Sequence, residues 1–378
     1  MKTVLITGAG GFVGRNLVAR LKHREDVTLI AVHRETAEAE LRDGLARADV
    51  IVHLAGVNRP ETPDEFETGN AGYTETLCRL LRELGRRPRL IVSSSIQAEF
   101  DNPYGLSKRR SEEIVAQFAR ETGAEVAVFR LKNVFGKWCR PNYNSVVATF
   151  CHNIAHDLPI QVNDPDRAVE LVFVDDVVAA ILNEMDQPGP RAGVIVTPDP
   201  IPSHTISLGD LADRIRSFHA MQPTLRVPDF SLRFNQQLYA TYLSYVDPRR
   251  WEYGLEIKSD NRGNLAEFIK SPWFGQIFIS RTHPGITRGN HFHHTKTEKF
   301  LVIAGEGLIK FRHVERDEVI EHRVRGEDYR VVEIPPGYTH SITNVGATEM
   351  ITLFWASEIF DPERPDTYFV SVDQRGAS

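Results

Sequence analysis

The stretch that most constrains the fold is the N-terminal one. Lys2–Thr7 is a short apolar run, followed at once by Gly8-Ala9-Gly10-Gly11-Phe12-Val13-Gly14 and then a helix-like run to about Leu21. Strand, glycine turn, helix is the context in which a glycine motif holds a dinucleotide. Gly8 permits the tight turn, Gly11 lets the backbone approach a pyrophosphate, and Gly14 allows close helix–strand contact, with the phosphate at the helix N-terminus. Thr7, Gly10, Phe12 and Val13 complete the candidate cofactor contacts of the turn. Further strands are expected at Val27–Val32, Ala48–Leu54, Leu90–Val92 and Glu125–Leu131. Helical patterns between them run over about Asp64–Leu84 and Pro103–Thr122. This alternation predicts an α/β Rossmann-type doubly wound parallel sheet.

Ligands of such a sheet lie at the C-terminal ends of its strands. The second strand ends at His33-Arg34, where a guanidinium could pair with a 2′-phosphate and so favour NADPH; Glu35 follows and counts against it. The third ends at His53-Leu54-Ala55-Gly56, small enough to let an adenine or ribose lie against the backbone. The fourth runs into Ser93-Ser94-Ser95, one of which, Ser95 foremost, could hydrogen-bond a reacting carbonyl. Tyr104 and Lys108 then stand one helical turn apart on one face. A phenol beside an ammonium loses its proton more easily and can serve as an acid or base while hydride moves at the adjacent carbon. Leu171–Val177 reads as a strand-to-helix junction with Asp175 or Asp176 as N-cap.

At 378 residues the chain suits two or three domains. A net charge of −6 without a long basic run argues against nucleic acid. The three cysteines, Cys78, Cys139 and Cys151, follow no metal or redox spacing. The N-terminal apolar run is too short for a signal peptide, and no run approaches a membrane span, so a cytoplasmic location is expected.

Beyond about Asp247-Pro248 the pattern changes to short alternating apolar runs, as in an all-β barrel or jelly roll. The two expected domains are 1–243 and 244–378. His291 and His293 alternate on one strand face, Glu298 follows, and His340 lies downstream as a fourth ligand. Imidazoles and a carboxylate on one barrel face suit zinc, iron, manganese or nickel. Zinc is the first choice among them, as a Lewis acid with no redox change of its own. Lys296, Lys299 and Tyr338 are titratable groups near these ligands in sequence, and thus candidate acid/base residues.

Taken as a set, Gly8…Gly11…Gly14, His53–Gly56, Ser93–Ser95, Tyr104…Lys108, Arg130…Asn133…Gly136 and Val174-Asp175-Asp176 resemble an extended short-chain dehydrogenase/reductase. That resemblance implies Tyr104 as general acid, Lys108 holding the nicotinamide ribose, and Ser95 polarising the carbonyl. Gly285…His291-x-His293…Glu298…Gly305 and Pro335-x-Gly337-x-x-His340 resemble the paired motifs of the cupin family. The two-domain order is similar to the bifunctional capsule and O-antigen enzymes of the CapF/WbjC type. Phe135–Cys139, Pro141–Ser145 and Gly289–Lys296 carry that likeness.

It implies C3 epimerisation of UDP-2-acetamido-2,6-dideoxy-β-L-arabino-4-hexulose, then NADPH reduction at C4. The product would be UDP-2-acetamido-2,6-dideoxy-β-L-talose, on the route to UDP-N-acetyl-L-fucosamine. It also implies a homodimer with zinc in the cupin. Lys132, Asn133 and Arg140 become candidate contacts to the UDP-sugar. The alternative is a reductase whose cupin only binds sugar or builds the dimer.

Overall fold

The computed structural model describes residues 1–62, 64–188, 195–196 (backbone only) and 200–373. The chain divides into two compact units, Met1–Arg216 with Gln236–Asp247, and Ser217–Asn235 with Pro248–Ser378. The change of unit at Asp247/Pro248 is where the sequence pattern changes. Ser217–Asn235, expected in the first domain, joins the second unit instead. Its backbone explains this: Val227 N–H donates to the Lys270 carbonyl at 2.9 Å and Lys270 N–H to the Leu225 carbonyl at 2.8 Å. A segment that leaves one core and pairs with another carries no periodicity that announces it.

The first unit holds strands β1 (Lys2–Thr7), β2 (Val27–Val32), β3 (Val50–His53), β4 (Arg89–Ser95) and β5 (Val126–Leu131). They form a parallel sheet in the order β2-β1-β3-β4-β5, with Ile195–Val196 at the β5 edge. Both faces are buried, which is why these strands read as continuous apolar runs. Leu5, Ile51, Leu90 and Val126 pack against helices on one face. Val4, Ile6, Val52, Ile91 and Phe129 pack on the other. The order reverses direction between β1 and β3, so a crevice opens beyond their C-terminal ends.

Two glycines make that crevice. Gly8 sits at φ +70°, and a Cβ there would lie 2.7 Å from the Ala55 nitrogen. A Cβ on Gly14 would lie 2.1 Å from the Gly8 carbonyl oxygen. The turn, the first helix (Phe12–Leu21) and the end of β3 therefore meet backbone to backbone.

The expected helix at 64–84 is interrupted. Asp64–Phe66 and Tyr73–Glu83 are α-helical, but Glu67–Gly72 is a π-helical turn. Pro103–Thr122 is helical as expected, with Asn102 as N-cap accepting from Gly105 N–H at 2.9 Å. The helix over Val174–Asp186 is capped differently from the sequence expectation. Phe173 occupies the N-cap, and Asp175 and Asp176 fall in the first turn. There Asp175 pairs with Lys137 at 2.8 Å.

The second unit carries two antiparallel sheets, one six-stranded and one five-stranded, with a single parallel bridge from Arg226 to Lys270 beside them among the described residues. Phe300, Val302 and Phe354 of the first pack with Ile309, Phe311 and Ile342 of the second. This double sheet is the architecture of a cupin jelly roll. No described helix is long and apolar enough to cross a membrane.

His53, at the end of β3, is fully buried beneath the crevice, between Thr7 Oγ1 at 2.7 Å and Thr74 Oγ1 at 3.1 Å. Burial, aided by the Lys108 charge, pushes its imidazole down to about 3. Unfolded, it titrates near its usual value of about 6.5. Below that pH the unfolded chain binds a proton that the folded chain refuses. Stability is therefore lost as pH falls from 6.5 towards 3, by about 1.4 kcal/mol per pH unit for this group. His53→Gln should flatten the pH dependence of urea unfolding between pH 7 and 5; an unaltered slope refutes the assignment.

Candidate active site and metal centre

The crevice of the first unit encloses a cavity of about 1240 Å³. One wall is the glycine turn, with Gly8, Gly10, Gly11, Phe12, Val13 and Gly14 lining it together with Leu54 and Gly56. Thr7 lies beneath this wall, where its hydroxyl accepts from Ala55 N–H at 3.3 Å. His33 and Arg34 stand exposed beyond the turn, with His33 Nδ1 3.2 Å from where a Gly10 Cβ would be.

The facing wall carries Ser95, Tyr104 and Lys108. The three serines of β4 separate cleanly. Ser93 Oγ donates to the His53 carbonyl at 3.3 Å. Ser94 is buried and donates to Glu112 Oε1 at 2.5 Å. Ser95 Oγ accepts from Gln97 N–H at 3.2 Å and lines the cavity with Tyr104. Burial raises the Tyr104 phenol above its ordinary value, and the nearby Ser95 hydroxyl only partly offsets this. The expected lowering by Lys108 is overruled: its Nζ is 6.0 Å from the ring centroid, and desolvation wins. At neutral pH Tyr104 holds its proton.

Lys108 is itself buried, and that burial pulls it down to about 8 against the pull of Glu112. Its Nζ donates to the Ser93 carbonyl at 3.3 Å, the one hydrogen bond it makes among the described residues.

Sequence reasoning missed Asn70. It is buried on the π-helical turn, bonds both backbone groups of Val57 at 2.8 and 3.1 Å, and donates to Ser107 Oγ at 3.0 Å. It thereby ties the loop after β3 to the helix bearing Tyr104 and Lys108. Only the two glycines flanking it, Gly69 and Gly72, hint in the sequence at a broken helix. Arg15 was also missed; it holds the Trp138 carbonyl at 2.5 Å.

Of the candidate substrate contacts, Lys132, Asn133 and Arg140 all line the cavity. Lys132 is engaged with Glu170 at 2.8 Å, and Asn133 donates to the Glu170 carbonyl at 3.1 Å. The Arg140 guanidinium lies over Tyr143, 5.2 Å from its centroid.

In the second unit His291, His293, Glu298 and His340 bring one potential ligand atom each within 4.8 Å of all the others. His291 and His340 are paired across neighbouring strands, next to a bulge at Asn290, whose φ is +61°. Glu298 Oε2 lies 3.4 Å from His293 Nε2 and 3.5 Å from His340 Nε2. A tetrahedral ion with bonds of about 2.1 Å separates its ligands by roughly 3.4 Å.

Both buried Nε2 atoms lack a hydrogen-bond partner among the described residues. Each ring faces a carbonyl on its other side: His293 Nδ1 to Asp366 O at 2.6 Å, and His340 Nδ1 to Tyr338 O at 3.3 Å. A carbonyl only accepts, so Nδ1 bears the hydrogen and the Nε2 lone pair faces the cluster. Burial presses the Glu298 carboxyl towards its neutral form, but the imidazoles of His293 and His340 beside it, at 3.4 and 3.5 Å, outweigh this and leave it below the usual carboxylate range. Burial and His340 push His291 down to about 4. Neutral imidazoles around a carboxylate are the donor set that a divalent ion requires.

The acid/base candidates part company. Glu298 points into the cluster, so Lys299, next along the same strand, points away, and it pairs with Glu333 beside Trp355. Lys299 is thereby removed as a candidate. Tyr338 shares a strand face with His340. Lys296 is buried, with Nζ donating to the Pro365 carbonyl at 2.9 Å and to Thr367 Oγ1 at 3.2 Å.

Residues 4–195 match the model of the NAD dependent epimerase/dehydratase family, and residues 258–368 match that of a polysaccharide biosynthesis C-terminal domain. A UDP-2-acetamido-2,6-beta-L-arabino-hexul-4-ose reductase of Pseudomonas aeruginosa is 45% identical over 98% of this chain and 99% of its own. The crystal structure of the capsular polysaccharide assembling protein CapF from Staphylococcus aureus superposes with a TM-score of 0.89 at 46% identity, covering 97% of this chain and 99% of that one. A UDP-glucuronic acid 4-epimerase from Bacillus cereus shares the fold, with a TM-score of 0.55 at 14% identity, over 64% of this chain and 98% of that one. The chain belongs to the NAD dependent epimerase/dehydratase family and, within it, to the CapF type that carries a polysaccharide biosynthesis domain at its C-terminal end.

Proposed function

We propose that the protein is a bifunctional enzyme of capsule or O-antigen sugar synthesis. Its second unit epimerises UDP-2-acetamido-2,6-dideoxy-β-L-arabino-4-hexulose at C3, and its first unit reduces the C4 ketone with NADPH. The product is UDP-2-acetamido-2,6-dideoxy-β-L-talose. The observation that carries the reading is the facing of a glycine turn by Ser95, Tyr104 and Lys108 across one cavity. The Pseudomonas relative, named as a reductase of this 4-ulose and matched end to end, supports the substrate.

When bound, the nicotinamide supplies hydride, and a divalent ion supplies positive charge towards a ketone oxygen. The rest falls to the chain itself. Ser95 donates a hydrogen bond to the C4 oxygen. Tyr104, kept protonated by its burial, passes its phenolic proton to that oxygen as C4 becomes tetrahedral. Lys108, with donor capacity to spare, holds the ribose hydroxyls of the cofactor. In the other unit the C3 proton is taken from one face of the sugar and a proton is delivered to the opposite face, with Lys296 and Tyr338 the groups at hand to take and give it. The C3 proton is acidic only while the neighbouring carbonyl persists, so reduction at C4 fixes the configuration at C3.

Tyr104→Phe should lower NADPH-dependent turnover by about two to four orders of magnitude while sparing solvent exchange at C3. The assay is NADPH consumption beside NMR of the 4-keto sugar nucleotide in deuterated water without NADPH. His291→Ala, or stripping of metal by a chelator, should abolish that deuterium uptake and leave NADPH binding intact. If no deuterium enters C3 in the unaltered protein, the epimerase step fails and the reductase reading alone survives. Arg34→Ala should raise the KM for NADPH about tenfold and leave that for NADH unchanged; equal effects on both would remove the preference for the 2′-phosphate.

A further inference from the structure

The C-terminal end of the second unit does more than finish a sheet. Tyr368–Phe369 pairs antiparallel with His291–Phe292, beside the ligand cluster. Val370 N–H donates to the Asn290 carbonyl at 3.0 Å. The buried Arg312 fastens the next two residues, donating to the carbonyls of Ser371 and Val372 at 2.8 and 2.9 Å.

Just ahead of this strand stands Asp366, with φ +40°, a left-handed conformation that a side chain adopts at some cost. Its carboxylate takes four hydrogen bonds from one short loop. Oδ1 accepts from His294 N–H at 2.9 Å. Oδ2 accepts from Thr295 N–H and Lys296 N–H at 2.9 Å each, and from Thr295 Oγ1 at 3.1 Å. Its own carbonyl accepts from His293 Nδ1 at 2.6 Å. One residue thus holds the loop that joins His293 to Glu298, and fixes which nitrogen of His293 faces the cluster. Its two neighbours, Pro365 and Thr367, hold the Lys296 ammonium.

We propose that Asp366 is the positioning residue of the metal centre, and that Pro365–Phe369 is a strap setting His293 and Lys296 in place from a distant part of the chain. The proposal rests on the reading of the four-residue cluster as a metal site. Partners of this kind, bonded to a ligand's other ring nitrogen, typically govern metal affinity by ten- to a hundredfold. Here the side chain acts through the backbone: without its four bonds the loop 294–296 and the Asp366 carbonyl lose their common anchor.

The test uses the full chain and Zn²⁺ alone, with affinity read by competition against a chromogenic chelator. Asp366→Gly and Asp366→Asn both tolerate a positive φ, so neither adds backbone strain. The glycine variant should bind Zn²⁺ ten- to a hundredfold more weakly. The asparagine variant, which keeps one acceptor oxygen, should fall between it and the parent. NADPH binding should not change in either. Zinc affinity equal to the parent in both variants overturns the proposal, whatever happens to the thermal stability of the zinc-free chain. A parent that takes up no zinc sinks the metal reading itself, which separates the two failures.

Should either variant not fold, the unaltered chain gives a second measurement. Amide hydrogen exchange over 293–298 and over 365–369 should slow together when zinc is added to the stripped protein. Exchange in 365–369 that ignores zinc counts against the strap.

Discussion

Taking a charge out of water is the costly step around which both sites are built. In the first unit the charge is the Lys108 ammonium, buried on the Tyr104 helix, with the Ser93 carbonyl as its one hydrogen-bond partner among the described residues. In the second it is the Glu298 carboxylate, between two imidazoles whose facing nitrogens have no hydrogen-bond partner among the described residues. Neither arrangement is what a fold selected for stability alone would keep. Each leaves polar capacity unspent and aimed at a space. In the first that space is the cavity facing the glycine turn. In the second it is the centre of a ligand cluster of tetrahedral dimensions.

Room for that ammonium comes from Gly56, where a Cβ would stand 3.2 Å from Lys108 Nζ. Because the turn, the first helix and β3 meet without intervening side chains, the crevice starts at the sheet edge. Asn70 then pins the loop after β3 to Ser107, next to Lys108. A regular α-helix over 64–84 would aim that amide elsewhere; the π-helical turn at Glu67–Gly72 redirects it. The same residue that costs helical regularity supplies the cross-link.

How much the chain discloses before folding depends on the range of its signals. The strand–glycine–helix start, the Tyr104/Lys108 pair and the His291/His293 alternation are local patterns, written within a few residues, and the structure brings each set together. For Lys299, nearness to the ligands in sequence misleads, because strand alternation turns it to the opposite face from Glu298. Asp366 is invisible for another reason. It lies 73 residues beyond His293, in a stretch with no motif, and its role exists only once Tyr368–Phe369 has paired with His291–Phe292. Ser217–Asn235 likewise joins the second unit through backbone bonds to Lys270, which any sequence can make. Long-range backbone bonding is the part of a fold that leaves no trace in side-chain type.

The unspent polar capacity also connects stability to chemistry. A ligand that binds only the folded chain stabilises it in proportion to the logarithm of its concentration over its dissociation constant. On the proposed reading, the first unit would gain from acceptors offered to Lys108, and the second from a cation offered to Glu298 and to the Nε2 atoms of His293 and His340. The buried environment that makes these groups expensive also tunes them: it holds the proton on Tyr104, where a reduction consumes one, and keeps His291 unprotonated, with its lone pair available. Desolvation is therefore one cause with two effects. It costs folding free energy at both clusters, and it sets their protonation states: a phenol that keeps its proton at Tyr104 and an imidazole with a free lone pair at His291.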